Sequence, residues 1–386
     1  MYIVSFCNFK KLEGSESHAI NIIKNSVNSQ GVKALVHVRS KEYLDFSSDN
    51  VIYFGSKKDR VINSTLIQTI YYIVKYYSFF SKYFQKPKEL FYFRLTMALP
   101  IVFLLYNFMG FLGTKKRVVV EHNGILELDG TVEKKRLFTK PILRFVQLWC
   151  SRFGESNRAV TSQIAEYIKG NVQADVFVLG NGYDSTAFCE YTKPILSQVS
   201  QNPFVITFVG NLVKWQGVDT LIHAAALLKD RKILVKIIGD GAERNHLEAL
   251  VDELYLQDAV QFLGRLDKPG IIDVFHNSNV LCAPFSAGRN SKVGNSALKI
   301  REYLATGLPI VCSDIPYDLK MDEKAELFIP DNRELLAEVL LRVKVDYQTY
   351  FESSDKNLHF AKEFLSWSAI AEKLIKELHE VENQFE

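Results

Sequence analysis

The chain has 386 residues, 47% of them apolar and 24% charged, and a formal net charge of +3. Single cores seldom grow to that length, so two domains are expected, and the composition excludes a disordered chain. So small a charge excludes nucleic acid as the main partner.

The five cysteines, Cys7, Cys150, Cys189, Cys282 and Cys312, are widely spaced and form no C-x-x-C, which reads as buried free thiols in a reducing compartment. The apolar run at residues 1–7 is too short for a signal peptide, and Lys10 and Lys11 follow it.

A buried strand is expected over residues 2–7, then a loop carrying Gly14 and Ser15, a helix over about 17–29 closed by Gly31, and a strand over 34–38. This is a β-loop-α-β unit with glycine where a backbone must approach something closely, although the spacing is not G-x-G-x-x-G. Residues 51–54 read as a third strand. Residues 57–89 hold seven basic and two acidic residues. On a helix over 67–84, Tyr72, Lys75, Phe79 and Lys82 share one side, and a face that mixes cations with aromatics suits an anionic membrane surface. The alternative is a core helix with snorkelling lysines. Residues 97–113 are strongly apolar but contain Pro100, Asn107 and Gly110, and a buried helix of an α/β layer explains them better than a membrane span of about 20 residues.

A strand over 118–120 leads into Glu121, His122, Asn123 and Gly124. Carboxylate, imidazole and amide at the C-terminal end of a parallel strand sit where such sheets bind ligands, the alternative being a capped turn. A basic amphipathic helix follows over 139–152, then a strand-helix pair around 159–168, a strand over 176–179 and a turn at Asn181-Gly182. Residues 193–203, with two prolines and a polar middle, read as a linker between a domain over 1–195 and another over 203–365.

The second series of βα units has strands over 206–209, 234–238, 260–263 and 280–283, with helices over 219–228, 244–255 and 271–277. Its loops are 210–217 and Gly239-Asp240-Gly241. Residues 286–296 are rich in glycine, serine and asparagine, which favour turns. Asn295 or Ser296 is expected to cap a helix over 297–306, ended by Gly307 with Pro309 beyond. A polar loop feeding a helix N-terminus is an anion site in waiting, with Lys299 one turn in and Glu302 on nearly the same face. A last helix over 368–382 is expected to pack back on the first domain.

The segments FVGNLVKWQGVDTLIHAA, IIGDGAERNHLEAL, FLGRL and ALKIREYLATGLPIV resemble the donor-binding half of glycosyltransferase family 4, of GT-B fold. VLGNGYDSTAF is similar to that family's P-N-G-x-D-x-x-x-F turn, with Gly180 in the proline position, and RAVTSQIAEYI and VVVEHNG are similar to its N-terminal segments. The resemblance covers nearly the whole chain and is loosest between residues 40 and 116. It implies two doubly wound Rossmann-like α/β domains facing across a cleft, the first binding the acceptor and the second the nucleotide sugar. It implies retaining, metal-independent sugar transfer with no cofactor, the donor carrying UDP or GDP.

The resemblance also assigns residues. Gly14 and Ser15 bring N–H groups to the phosphates, Gly239 and Gly241 form the nucleotide loop, Arg265 borders the base, Glu302 holds the ribose hydroxyls, and His122 lies beside the reacting sugar. Three positions depart from the family. Its arginine and lysine on the diphosphate read Asn211 and Gln216 here, and the first glutamate of its E-x7-E falls on Gly294. Lys214 and Lys299 are expected to supply the charge instead, and Asn295 to hydrogen-bond the sugar. Family members reading S-P-x-K-x-x-E-Y also carry the lysine at position 299.

For the acceptor, the basic-aromatic segment implies a lipid-linked or membrane-bound saccharide of cell-surface polysaccharide assembly. The protein is then cytoplasmic and peripheral on the inner face of the plasma membrane. The alternatives are a soluble acceptor, or a nucleotide-sugar-binding protein of the same fold without turnover.

Overall fold

The computed structural model describes residues 1–5, 15–37, 48–54, 89–95, 117–128, 140–198 and 203–384, without the side chains of residues 15–17, 37 and 117. Gly14, Tyr72, Lys75, Phe79, Lys82 and the apolar run 97–113 therefore lie outside the described residues, as does the side chain of Ser15. The chain divides into two compact units, Met1–Asn181 with Trp367–Glu386, and Gly182–Ser366.

In the first unit the strands are β1 (Tyr2–Ser5), β2 (Lys33–His37), β3 (Val51–Phe54), β4 (Leu90–Arg94), β5 (Arg117–His122), β6 (Ser156–Ala159) and β7 (Val176–Val178). They pair in the order β3-β2-β1-β4-β5-β6-β7, every pair parallel. Helices α1 (Ser15–Ser26), α2 (Lys140–Phe153) and α3 (Ser162–Lys169) belong to this unit. Thr161 caps α3 by accepting from the Ile164 N–H at 3.3 Å.

The second unit repeats the plan. In order come β8 (Phe204–Val209), α4 (Val218–Leu227), β9 (Ile233–Ile238), α5 (Arg244–Glu253), β10 (Val260–Gly264), α6 (Lys268–His276), β11 (Val280–Ala283), α7 (Ala287–Val293) and α8 (Leu298–Thr306). They continue with β12 (Ile310–Ser313), β13 (Glu326–Phe328), α9 (Arg333–Val345), α10 (Tyr347–Ser353) and α11 (Asp355–Phe364). The sheet order is β10-β9-β8-β11-β12-β13, again all parallel. Every residue of β8, β11 and β12 is buried. Such strands need cover on both faces, and crossover helices supply it. The last helix, α12 (Trp367–Asn383), belongs to the first unit and packs on α1, with Trp367 edge-on to the His18 ring at 5.1 Å.

Each sheet reverses its winding once. In the first, β2 and β3 are laid down on one side of β1 and β4 on the other; in the second, β9 and β10 lie on one side of β8 and β11 on the other. Loops at such a point diverge to opposite faces and leave a crevice at the C-terminal ends of the strands.

Three sequence expectations change. Residues 193–203 are not a spacer between units, because the units divide at Asn181 and Gly182. Lys193 is anchored inside the second unit, donating to Asp355 at 2.6 Å and Ser354 at 3.3 Å and lying 3.8 Å over the Phe351 ring. Residues 287–293 form α7 despite their turn-forming composition. The Asn290 amide donates to the Trp215 carbonyl at 2.9 Å and to the Ser286 carbonyl at 2.8 Å, and these bonds outweigh weak propensity. Among the cysteines, Cys150, Cys282 and Cys312 are buried free thiols, whereas Cys189 is exposed.

Candidate functional site

At the switch point of the second sheet, one ammonium organises the crevice. Lys299 stands in the first turn of α8, is buried, and projects its Nζ 3.8 Å over the Phe208 ring of β8 and 5.2 Å from the Phe285 ring just after β11. Its Nζ donates to Gln216 Oε1 at 2.6 Å. It also rests against Gly210, where an added Cβ would meet it at 2.5 Å. Burial pushes its pKa well below the usual lysine range, while Cys282 and Glu302 pull it back up. The neutral Gln216 at the position where the resembled family has lysine thus lies against a lysine from another helix.

Helix α8 is held firmly. The Tyr303 hydroxyl accepts from the Val209 N–H at 2.8 Å and donates to the Cys282 carbonyl at 3.4 Å, tying α8 to both strands of the switch point. Arg301, also buried, binds the Ala297 carbonyl at 3.1 Å, Ser296 Oγ at 2.9 Å and the Asp318 carboxylate. Gly307 closes the helix in the left-handed region, as expected.

The start of α8 differs from expectation. Its N-cap is Ala297, without a side-chain cap, because Ser296 Oγ is taken by Asp318 at 3.0 Å and by Arg301. Asn295 Oδ1 instead accepts the Ala297 N–H at 2.8 Å, one residue short of the helix. That oxygen closes a local turn. Gly294 has φ 71° and ψ 177°, a region that belongs to glycine, so a glutamate could not stand there on this backbone without strain.

Glu302 lies one turn beyond Lys299, and the Lys268 ammonium donates to its Oε1. Gly239 and Gly241 have a reason to be glycine before any ligand arrives. A Cβ at Gly239 would stand 1.8 Å from the Gly210 carbonyl oxygen, and one at Gly241 would stand 2.3 Å from that of Leu212. The loops after β8 and β9 therefore stack backbone on backbone. Lys214 and Asn211 are exposed on the first of these loops. Arg265 lies with its Nε 3.9 Å from Asp240 Oδ2 at the end of β9. The structure thus brings together Lys299, Gln216, Glu302 and the Gly210 loop, and sequence reading missed Lys268, which lies before the helix expected over 271–277 and begins α6.

In the first unit the strand ends carry a buried polar cluster centred on Glu121. Its carboxylate accepts from Tyr92 and Asn123, lies 2.9 Å from His18 Nε2 and 3.3 Å from an Arg158 nitrogen. Arg158 also donates to Tyr92 at 2.8 Å, the Leu179 carbonyl at 3.0 Å and the Gly180 carbonyl at 2.8 Å. Burial alone would raise the Glu121 pKa, but His18, Arg158 and Arg94 outweigh it and hold the carboxyl well below the usual range. His122 points the other way, as alternation along β5 requires. It is fully buried, 2.9 Å from Asn157 Oδ1, with Gln147 and Ser151 each 3.4 Å away. It is a satisfied core histidine whose ring presents no exposed surface in this structure. Glu121 is the member of that loop at the strand-end cluster.

The two Rossmann-like α/β units are the GT-B fold. Sucrose-phosphate synthase from Thermosynechococcus elongatus aligns with a TM-score of 0.74 at 16% identity, covering 98% of each chain. HepE of Anabaena, in complex with UDP and glucose, aligns with a TM-score of 0.70 at 19% identity, again over 98% of each. The family model for glycosyl transferases group 1 matches residues 195–358, which lie within the second unit. The chain is also 25% identical over 205 residues to the O-antigen biosynthesis glycosyltransferase WclY of Escherichia coli, a match covering 51% of this chain and 55% of that protein. It therefore spans about half the length of the curated relatives it matches.

The buried histidine of β5 makes a stability prediction. Burial lowers the His122 pKa from 6.5 to about 4. Between those values the unfolded chain binds a proton that the folded one does not, so stability is fully present above pH 6.5 and falls as pH drops toward 4. The loss from this residue is on the order of 3 kcal/mol. His122→Gln, melted across that pH range, should show a shallower pH dependence than the wild type; an identical slope would mean the imidazole does not titrate there.

Proposed function

We propose that this protein is a retaining, metal-independent family 4 glycosyltransferase. It would move a sugar from a nucleotide sugar, with UDP or GDP as the leaving group, to a hydroxyl of a lipid-linked or membrane-bound saccharide. The observation that carries the reading is the buried Lys299 ammonium at the β8/β11 switch point, with Gln216 beside it and Glu302 one turn on. In the reaction the bond from the anomeric carbon to the diphosphate breaks, a bond to the acceptor oxygen forms, and the acceptor proton is released. The departing diphosphate gains negative charge, and a preorganised cation in a low-dielectric crevice stabilises it. On this reading Lys299 takes the part of the missing Arg/Lys pair, with Lys214 a second, exposed cation within reach of solvent-side oxygens. Glu302 receives the ribose hydroxyls, and Arg265 borders the base. The N–H groups at Gly14 and Ser15 belong to the same proposal for the phosphates.

The acceptor assignment draws on the O-antigen biosynthesis name of the Escherichia coli relative and on surface chemistry of the first unit. The sequence of Tyr72, Lys75, Phe79 and Lys82 mixes cations with aromatics, and the described helix α2 exposes Ile142 (55%), Phe145 (66%) and Phe153 (48%). These follow one another at helical spacing, with Trp149 between the last two, and α2 carries Lys140, Arg144 and Arg152 but no acidic residue. Such a face supports peripheral binding to an anionic leaflet. No helix among the described residues is long and apolar enough to cross a membrane. A second reading, binding of a nucleotide sugar without turnover, draws on the backbone at Gly294, which excludes the family's first glutamate.

Two experiments test these readings. In a panel of UDP-, GDP- and ADP-sugars, one donor should bind and be hydrolysed or transferred. Glu302→Gln should weaken that donor by at least about 1 kcal/mol in a folded protein. Binding without turnover for every donor selects the second reading. Separately, the protein should bind anionic vesicles at low salt and leave them at high salt. Replacing Lys75 and Lys82 by Glu, or Phe145 by Ser, should release it without changing donor binding. Indifference to anionic vesicles at low salt would favour a soluble acceptor.

A further inference from the structure

Glu302 does not stand alone in the crevice. It is only 13% exposed, and its Oε1 accepts from the Nζ of Lys268, which is 33% exposed. Glu302 Oε2 has no hydrogen-bond partner among the described residues. The two side chains come from different elements, Lys268 from the first position of α6 and Glu302 from the middle of α8.

Both ends of this bridge are fixed. Asp267 caps α6 by accepting the Gly270 N–H at 2.9 Å, and Pro269 follows Lys268 in the first turn, so the backbone that carries the lysine has little freedom. Phe275 of α6 packs edge-on against Tyr303 of α8 at 5.9 Å, and the Tyr303 hydroxyl is bound to β8 and β11. The lysine is therefore presented to the glutamate by two helices locked to each other and to the sheet.

A nearly buried carboxylate needs a cationic or hydrogen-bonding partner, and one whose partner is removed loses both its stabilisation and its direction. A single oxygen engaged by a fixed ammonium leaves the carboxylate plane oriented and the other oxygen available. We infer that Lys268 is the positioning residue for the donor site: it holds Glu302 by Oε1 so that Oε2 is presented to the vicinal hydroxyls of the nucleotide's ribose. This rests on the reading of Glu302 as a donor ligand. Lys268 itself touches the carboxylate and not the nucleotide, and its effect passes entirely through Glu302.

The test is a binding cycle with UDP, run with GDP and ADP alongside, on Lys268→Met, Lys268→Arg, Glu302→Gln and the double variant Lys268→Met/Glu302→Gln. Lys268→Met should weaken the nucleotide five- to tenfold, and Lys268→Arg, which keeps a cation at the same carboxylate, should recover most of that loss. The double variant should bind no more weakly than Glu302→Gln alone, because a positioning residue has nothing left to position. With a donor that turns over, the loss in Lys268→Met should appear in KM and leave kcat nearly unchanged. If Glu302→Gln weakens binding and Lys268→Met does not, the inference fails while the reading of the site stands. Additive losses would mean that Lys268 meets the nucleotide directly, which also overturns it. If Glu302→Gln binds like wild type, the donor-ligand reading falls and takes the inference with it.

Discussion

A lysine ammonium kept in the interior of a parallel sheet is costly unless something compensates it, and the second unit is built around that constraint. Lys299 is surrounded by two aromatic faces, one amide oxygen and a glycine backbone, with no carboxylate in direct contact among the described residues. Cation–π attraction and a single neutral hydrogen bond offset only part of the desolvation. The ammonium therefore gains most from an anion that enters the crevice, and the fold delivers it to the place where a doubly wound sheet opens. Tyr303 and Arg301 on the same helix fix the rotation of α8 about its axis, which decides that Lys299 points inward and Glu302 toward Lys268.

The first unit solves a different problem at its own strand ends. There a carboxylate is buried and fully satisfied: Glu121 is met by Tyr92, Asn123, His18 and Arg158, which reach it from β4, the turn after β5, α1 and β6. This cluster fastens the first turn of α1 to the strands, and Trp367 of α12 covers the outer side of His18. An identical set of residue types could have formed a reactive centre. Saturated hydrogen bonding makes it a clamp that fixes where α1 begins.

Much of this was legible in the chain. Alternation of apolar runs with helical segments is enough to give two parallel sheets, and in the second unit the strands expected over 206–209, 234–238, 260–263 and 280–283 are each found within two residues of that place. Strands β4 and β13 were not expected at all, and β6 was placed only as a strand near residue 159. In β4, LFYFR continues the basic and aromatic composition of the segment before it, and in β6, SNRA is polar although all four residues are buried. Their polar members are inside because they bind one another across the sheet, and no pattern along the chain can express a partner 37 or 66 residues away. The site was legible to a similar depth. Lys299 and Glu302 announce themselves by helical spacing, but the Lys268 partner depends on the α6–α8 packing. The inward turn of His122 depends on strand phase, and Asn295 does not cap α8 because its oxygen takes the N–H of Ala297, one residue before the helix.

The central claim is that Lys299 is the cation that meets the diphosphate, and it is tested most directly by separating phosphate from nucleoside. Calorimetric binding of UDP and of uridine, with GDP and guanosine in parallel, should be compared between the wild type and Lys299→Met. A charge-assisted contact is worth roughly 1.5–3 kcal/mol, so the variant should lose at least tenfold in affinity for the diphosphate while binding the bare nucleoside as before. Equal losses for both ligands, or none for either, would contradict the account.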